Sequence, residues 1–89
     1  MEERDYRMTP SRKREVFRLI MEEKKLPQLS FDIDHVSYRD GCKVYFKNGG
    51  WVIARFSGTE PLLRVFCEMP AVEDAVAVIR RFERFLELD

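Results

Sequence analysis

Beyond Thr9 the apolar positions recur at helical spacing. Val16, Phe17, Ile20 and Met21 form one stripe, with Arg12, Lys13, Arg14, Arg18 and Glu22 largely outside it. Thr9 is a good N-cap and Pro10 suits the first helical position. Pro27 pushes Leu26 out of the helical region, so the helix is predicted to stop near Lys24–Lys25, where basic residues also suit the helix dipole. From Phe31 to Met69 the period changes. Ile33–Tyr38 is a weak strand candidate. Asp40-Gly41 reads as a hairpin turn. Cys42, Val44 and Phe46 alternate with Lys43, Tyr45 and Lys47, as in a half-buried strand. Asn48-Gly49-Gly50 is a second tight turn, and Trp51–Phe56 a third strand. Ser57-Gly58-Thr59-Glu60-Pro61 breaks the pattern as a loop, and Leu62–Glu68 is a fourth strand closed by Pro70. Val72, Ala75, Val76, Ile79, Phe82 and Leu86 then mark a final helix, with Glu73 and Asp74 early and Arg80, Arg81 and Arg84 late.

The predicted order is helix, four strands, helix. Strands joined by tight turns run antiparallel. The expected architecture is therefore α+β, a four-stranded antiparallel sheet with two main helices packed on one face. Residues 1–8 are polar and stand as a candidate disordered N-terminal segment. Residues 9–89 form a single domain, as a chain of 89 residues allows.

Composition narrows the function classes. The chain is 45% hydrophobic and 36% charged, which fits a folded globule. Lys+Arg and Asp+Glu are each 16, so no strongly basic surface is the default reading. No apolar run nears the ~18 residues needed to span a bilayer, and Met-Glu-Glu-Arg-Asp is too polar for a secretory signal. Two cysteines, Cys42 and Cys67, give no disulfide framework, so a reducing cytoplasm is the expected setting.

The segment Arg55-Phe56-Ser57-Gly58-Thr59-Glu60-Pro61-Leu62-Leu63-Arg64 carries the candidate chemistry. It joins two strands through a polar, glycine-containing loop with an arginine on each side. Ser57 and Thr59 can donate hydroxyl hydrogen bonds. Gly58 lets a backbone approach closely and expose its N–H. Arg55 and Arg64 offer planar forks that match phosphate oxygens. The competing reading is a plain connection whose arginines pair with Glu60 or Glu68.

This segment resembles the signature Arg-x-Ser-Gly-Thr-Glu-Pro-x-x-Arg of the C-terminal domain of the α-D-phosphohexomutases, the phosphoglucomutase, phosphomannomutase and phosphoglucosamine mutase enzymes. Asp40-Gly41-Cys42-Lys43-Val44-Tyr45-Phe46, Gly49-Gly50-Trp51-Val52 and Arg64-Val65-Phe66-Cys67-Glu68 are similar to the same domain, and the likeness extends over most of the chain after Thr9. The resemblance implies a TATA-binding-protein-like fold. It implies that Arg55, Ser57, Thr59 and Arg64, with the Gly58 amide, grip the substrate phosphate that is not transferred, while Glu60 and Pro61 shape the loop. The implied parent enzyme is an isomerase of carbohydrate metabolism that moves a phosphoryl group between a phosphoserine and a hexose phosphate. The implied partners are the phosphosugar and three preceding domains. Those domains would supply the catalytic serine loop, the aspartate-rich magnesium loop and the sugar-recognition loop, which have no counterpart here. This domain itself is expected to hold no cofactor and no catalytic residue, and to be inactive alone. Three positions depart from it: Phe56, where the family usually has proline, and Cys42 and Cys67, where it usually has apolar residues such as valine.

Other readings are weaker. His35 is the single histidine and has no motif partner for a metal. Cys67 sits mid-strand without an evident base. Asp32 and Asp34 read as solvated acids. The alternative from another class is a small nucleic-acid-binding module using the sheet face, with Tyr38, Tyr45 and Trp51 among lysines and arginines. Zero net charge weighs against it. The basic stretches Arg12–Arg18 and Arg80, Arg81 and Arg84 read as solvated helix faces rather than an interaction module.

Overall fold

In the central strands every second residue is apolar and buried, and this alternation orients the whole sheet. The computed structural model describes residues 1–88. Cys42, Val44 and Phe46 in β3 (Cys42–Phe46) point to one face. So do Val52 and Ala54 in β4 (Trp51–Phe56), and Leu63, Val65 and Cys67 in β5 (Leu62–Glu68). Both helices cover that face. Val16 and Ile20 come from the first helical segment, and Ala75, Val78, Ile79, Phe82 and Leu86 from α2 (Val72–Leu86); all join one core cluster with the strand residues. The opposite face carries Lys43, Tyr45, Trp51, Ile53, Arg55, Arg64 and Phe66, and among the described residues both helices pack into the core on the other side.

The sheet has five strands, in the order β1-β5-β4-β3-β2, all antiparallel. This corrects the four-stranded expectation. The extra strand, β1 (Glu2–Arg7), lies in the polar segment assigned no element from sequence. Glu-Glu-Arg-Asp-Tyr-Arg has no apolar alternation of its own. Its register comes from the unpaired edge of β5, with Glu2 opposite Cys67 and Arg7 opposite Leu62. Side chains anchor it: the Tyr6 hydroxyl donates to Glu83 Oε2 on α2 at 2.5 Å, and the N-terminal ammonium lies 3.3 Å from Glu68. The other edge strand, β2 (Ile33–Ser37), carries a bulge between Ile33 and His35 and is mostly polar, which discourages edge-to-edge pairing.

The first helix starts as expected. Thr9 Oγ1 accepts from the Arg12 amide at 3.1 Å, and Pro10 opens α1 (Pro10–Phe17). The segment then widens into a π-helical turn, Arg18–Glu22, closed by the Glu23 amide on the Arg18 carbonyl at 2.8 Å. Lys24, at φ 55°, takes the chain out of the helix before Pro27. In α2 the buried stripe is Ala75, Val78, Ile79, Phe82 and Leu86; Val78 is not among the expected positions, whereas the expected Val76 is only half-buried and Val72 stays 64% exposed at the N-terminal end.

Candidate functional site

The loop Ser57–Pro61 closes the β4–β5 hairpin, and its own hydrogen bonds define its shape. The Ser57 amide donates to the Leu62 carbonyl at 2.9 Å, and the Leu62 amide to the Glu60 carbonyl at 2.8 Å. Ser57 Oγ accepts from the amides of Thr59 (3.3 Å) and Glu60 (3.2 Å). This is a serine turn, in which the hydroxyl oxygen substitutes for a backbone acceptor. The hydroxyl proton remains available to donate outward. The Gly58 N–H has no hydrogen-bond partner among the described residues. Gly58 has no positive φ, and a Cβ built on it would meet nothing within 4 Å. The loop geometry therefore does not require glycine there.

Two neighbouring elements hold this loop. Lys13, one turn into α1, donates from Nζ to the Ser57 carbonyl at 2.7 Å and the Glu60 carbonyl at 3.0 Å. The Met8 amide donates to the Pro61 carbonyl at 3.0 Å, and Arg7 lies 3.7 Å from Glu60. The contacts from Arg7, Met8 and Lys13 are long-range. Nothing in the sequence spacing indicated them; Lys13 was visible only as one cation in a basic helical stretch.

Arg55 and Arg64 are opposite each other in the β4–β5 ladder, so both side chains leave the open face near the base of the loop. Their guanidinium groups diverge. Arg55 Nε reaches 3.5 Å from the Asp40 carbonyl on the β2–β3 turn, and Arg64 Nε lies 3.8 Å from Asp5 on β1. Like charges directly opposite across a ladder repel, and each head has turned to its own outer acceptor. Two surface hollows share these residues out. A cleft of about 580 Å³ between α1 and the loop takes Gly58 and Thr59, beside Lys13 and Arg14. A hollow of about 530 Å³ against the β2–β3 turn takes Arg55, and neither includes Arg64. The hairpin end thus brings Arg55, Ser57, Gly58, Thr59 and Arg64 together along the chain, but their functional groups face separate spaces.

A scan against family models matches residues 11–85 to "Phosphoglucomutase/phosphomannomutase, C-terminal domain". The chain belongs to this C-terminal domain family. A curated relative named phosphoglucomutase/phosphomannomutase, from Thermococcus kodakarensis, is 50% identical over 36 residues. That stretch covers 40% of this chain and 8% of the relative, so the phosphomutase-type relative is far longer than the part matched here. Within this phosphomutase domain, no group of three or more His, Cys, Asp or Glu among the described residues is placed to hold a metal. No helix among the described residues is long and apolar enough to cross a membrane.

The remaining candidates are structural. Cys42 and Cys67 are fully buried, and burial pushes their thiols up to about 11 and about 12. Both are therefore neutral core residues. His35 is exposed, lies 2.6 Å from Asp34 and stacks on Tyr45 with ring centroids 4.3 Å apart. Tyr45 and Trp51 share the open face beneath Lys43, whose Nζ is 4.7 and 4.5 Å from the two ring centroids. Tyr38 is apart from them, packed against the core and under Lys24.

Proposed function

We propose that this chain is the substrate-phosphate-binding C-terminal domain of a phosphohexomutase, with Arg55, Ser57, Gly58, Thr59 and Arg64 as its anion grip. One observation carries the reading: two arginines in register on one sheet face, at the mouth of a loop that keeps a hydroxyl proton and a free amide for an outside acceptor. An anion between the guanidinium groups would turn their repulsion into two charge-assisted contacts. The Gly58 N–H and the Ser57 and Thr59 hydroxyls would complete a shell of donors, and the absence of a Cβ at position 58 would let the anion approach the backbone. Such a grip reads a phosphate rather than a sugar ring. It suits a reaction in which either end of a bisphosphorylated hexose must occupy the same seat.

The catalytic serine, the magnesium site and the sugar-recognition loop belong, in this reading, to three other domains of a cytoplasmic enzyme of carbohydrate metabolism. The sheet and helices would follow the TATA-binding-protein-like layout. The 89-residue chain alone is expected to bind weakly, at about millimolar, and to leave hexose phosphates unisomerised. Amide-shift titration with glucose 6-phosphate tests the assignment. Ser57, Gly58 and Thr59 should move along one saturable curve; movement confined to residues away from the loop would overturn it.

A further inference from the structure

The open face holds a second group of cations that the loop does not use. The hollow against the β2–β3 turn is lined by Ser37, Arg39, Asp40, Lys43, Tyr45 and Arg55, with Ile53 as its one apolar residue. Its three cations face a single carboxylate, that of Asp40. None of the three is in an ion pair among the described residues, where every pair involves other cations. Arg55 has only a long contact to the Asp40 carbonyl, and Lys43 rests on the rings of Tyr45 and Trp51.

The wall of this hollow is firmly seated. Gly41 has φ +121°, and a Cβ there would fall 2.5 Å from the Ala54 carbonyl oxygen. The turn carrying Arg39 and Asp40 therefore lies directly on the backbone of β4. Neutral donors are present as well. Ser37 Oγ accepts from the Arg39 amide at 3.5 Å and keeps its own proton, and the Tyr45 hydroxyl has no hydrogen-bond partner among the described residues. Three unpaired cations and two hydroxyls around one concavity suit a compact dianion: each cation neutralises charge, and each hydroxyl donates to an oxygen.

We propose that this hollow is a second anion site, taking the phosphoryl group of a small molecule on Arg39, Lys43 and Arg55, with Ser37 and Tyr45 as neutral donors. It does not rest on the phosphosugar reading, because Gly58 and Thr59 line a different cleft. Arg55 is the one side chain common to both.

The test is amide-shift titration of the chain with inorganic phosphate and, separately, with glucose 6-phosphate, against sodium chloride at matched ionic strength. Resonances of Ser37–Lys43 should move saturably with phosphate and not with chloride. Lys43→Ala and Arg39→Ala should each raise the apparent Kd at this site roughly three- to tenfold. Lys43→Gln, which keeps most of the side chain's bulk, should do the same, so that loss of charge is separated from loss of packing. Shifts at Ser57–Thr59 should survive these variants. Silence at residues 37–43 up to about 50 mM phosphate, equal shifts with chloride, or an unchanged Kd in all three variants would overturn the site. Failure of the loop reading shows separately, as silence at residues 57–59 with glucose 6-phosphate.

Discussion

Lys13 Nζ stands 2.7 Å from the Ser57 carbonyl oxygen, so the first helix holds the candidate phosphate loop in place. A second bond to the Glu60 carbonyl at 3.0 Å spans the serine turn. Lys13 is thus a positioning residue, acting on the loop through two carbonyls. Lys13→Met should cost about 1 kcal/mol in denaturant unfolding and weaken glucose 6-phosphate binding several-fold, while Lys13→Arg restores most of both. A role in stability alone predicts the first effect without the second, once binding is measured on the folded fraction.

The Tyr6 hydroxyl ties β1 to α2 through Glu83. Tyr6→Phe removes that bond and leaves the carboxylate unpartnered. The expected loss is about 1 kcal/mol, concentrated at the sheet edge. Hydrogen exchange should quicken at the β1 amides well before those of β4, and uniform quickening across the sheet would contradict this.

Alkaline pH should destabilise the fold through three groups. Burial raises the Tyr6 hydroxyl, with help from the Glu83 hydrogen bond and charge, and burial raises both thiols from an ordinary 9.0. The folded state therefore favours the neutral form of each. Their contribution is complete below the unfolded values and is lost as pH climbs through the folded ones. Denaturant midpoints should be insensitive to these groups up to about pH 9 and fall beyond it, with Tyr6 adding to the decline above about pH 10. At about pH 8 a thiol reagent should label Cys42 and Cys67 only as fast as the protein opens. Rapid labelling of the native state would place the thiols elsewhere.

Gly41 and Gly58 should respond oppositely to alanine. Gly41 combines a left-handed φ with a backbone oxygen 2.5 Å from the added Cβ, so Gly41→Ala should destabilise by about 1–3 kcal/mol. Gly58 has neither constraint, so Gly58→Ala should alter stability by less than about 0.5 kcal/mol. It should nevertheless weaken glucose 6-phosphate binding by screening the free amide. Unchanged binding in Gly58→Ala would remove that amide from the grip.

The sequence was most legible where local chemistry decides structure. The alternation Cys42-Val44-Phe46 identified a strand with one buried face, and Thr9-Pro10 identified a helix start. The cross-strand pairing of Arg55 and Arg64 follows from a short hairpin loop between them. What escaped was long-range. Glu2–Arg7 is a strand only because β5 offers an edge, and no apolar period marks it. Lys13 touches the loop because α1 packs beside it, a relationship that spacing cannot encode. The divergence of Arg55 and Arg64 depends on Asp40 and Asp5, which lie far from them in sequence. Ser57, Gly58 and Thr59 read in the sequence as a set of donors, whereas the internal bonding of the Thr59 and Glu60 amides to Ser57 Oγ depends on the loop's folded path.

Joint action of Arg55 and Arg64 on one anion is tested most directly by a double-mutant cycle for glucose 6-phosphate binding. Arg55→Ala and Arg64→Ala should each weaken binding by about tenfold or more, and the double variant should lose less than the two losses combined, because either arginine alone holds the phosphate poorly. Affinity equal to that of the unmodified chain in either single variant would contradict the account.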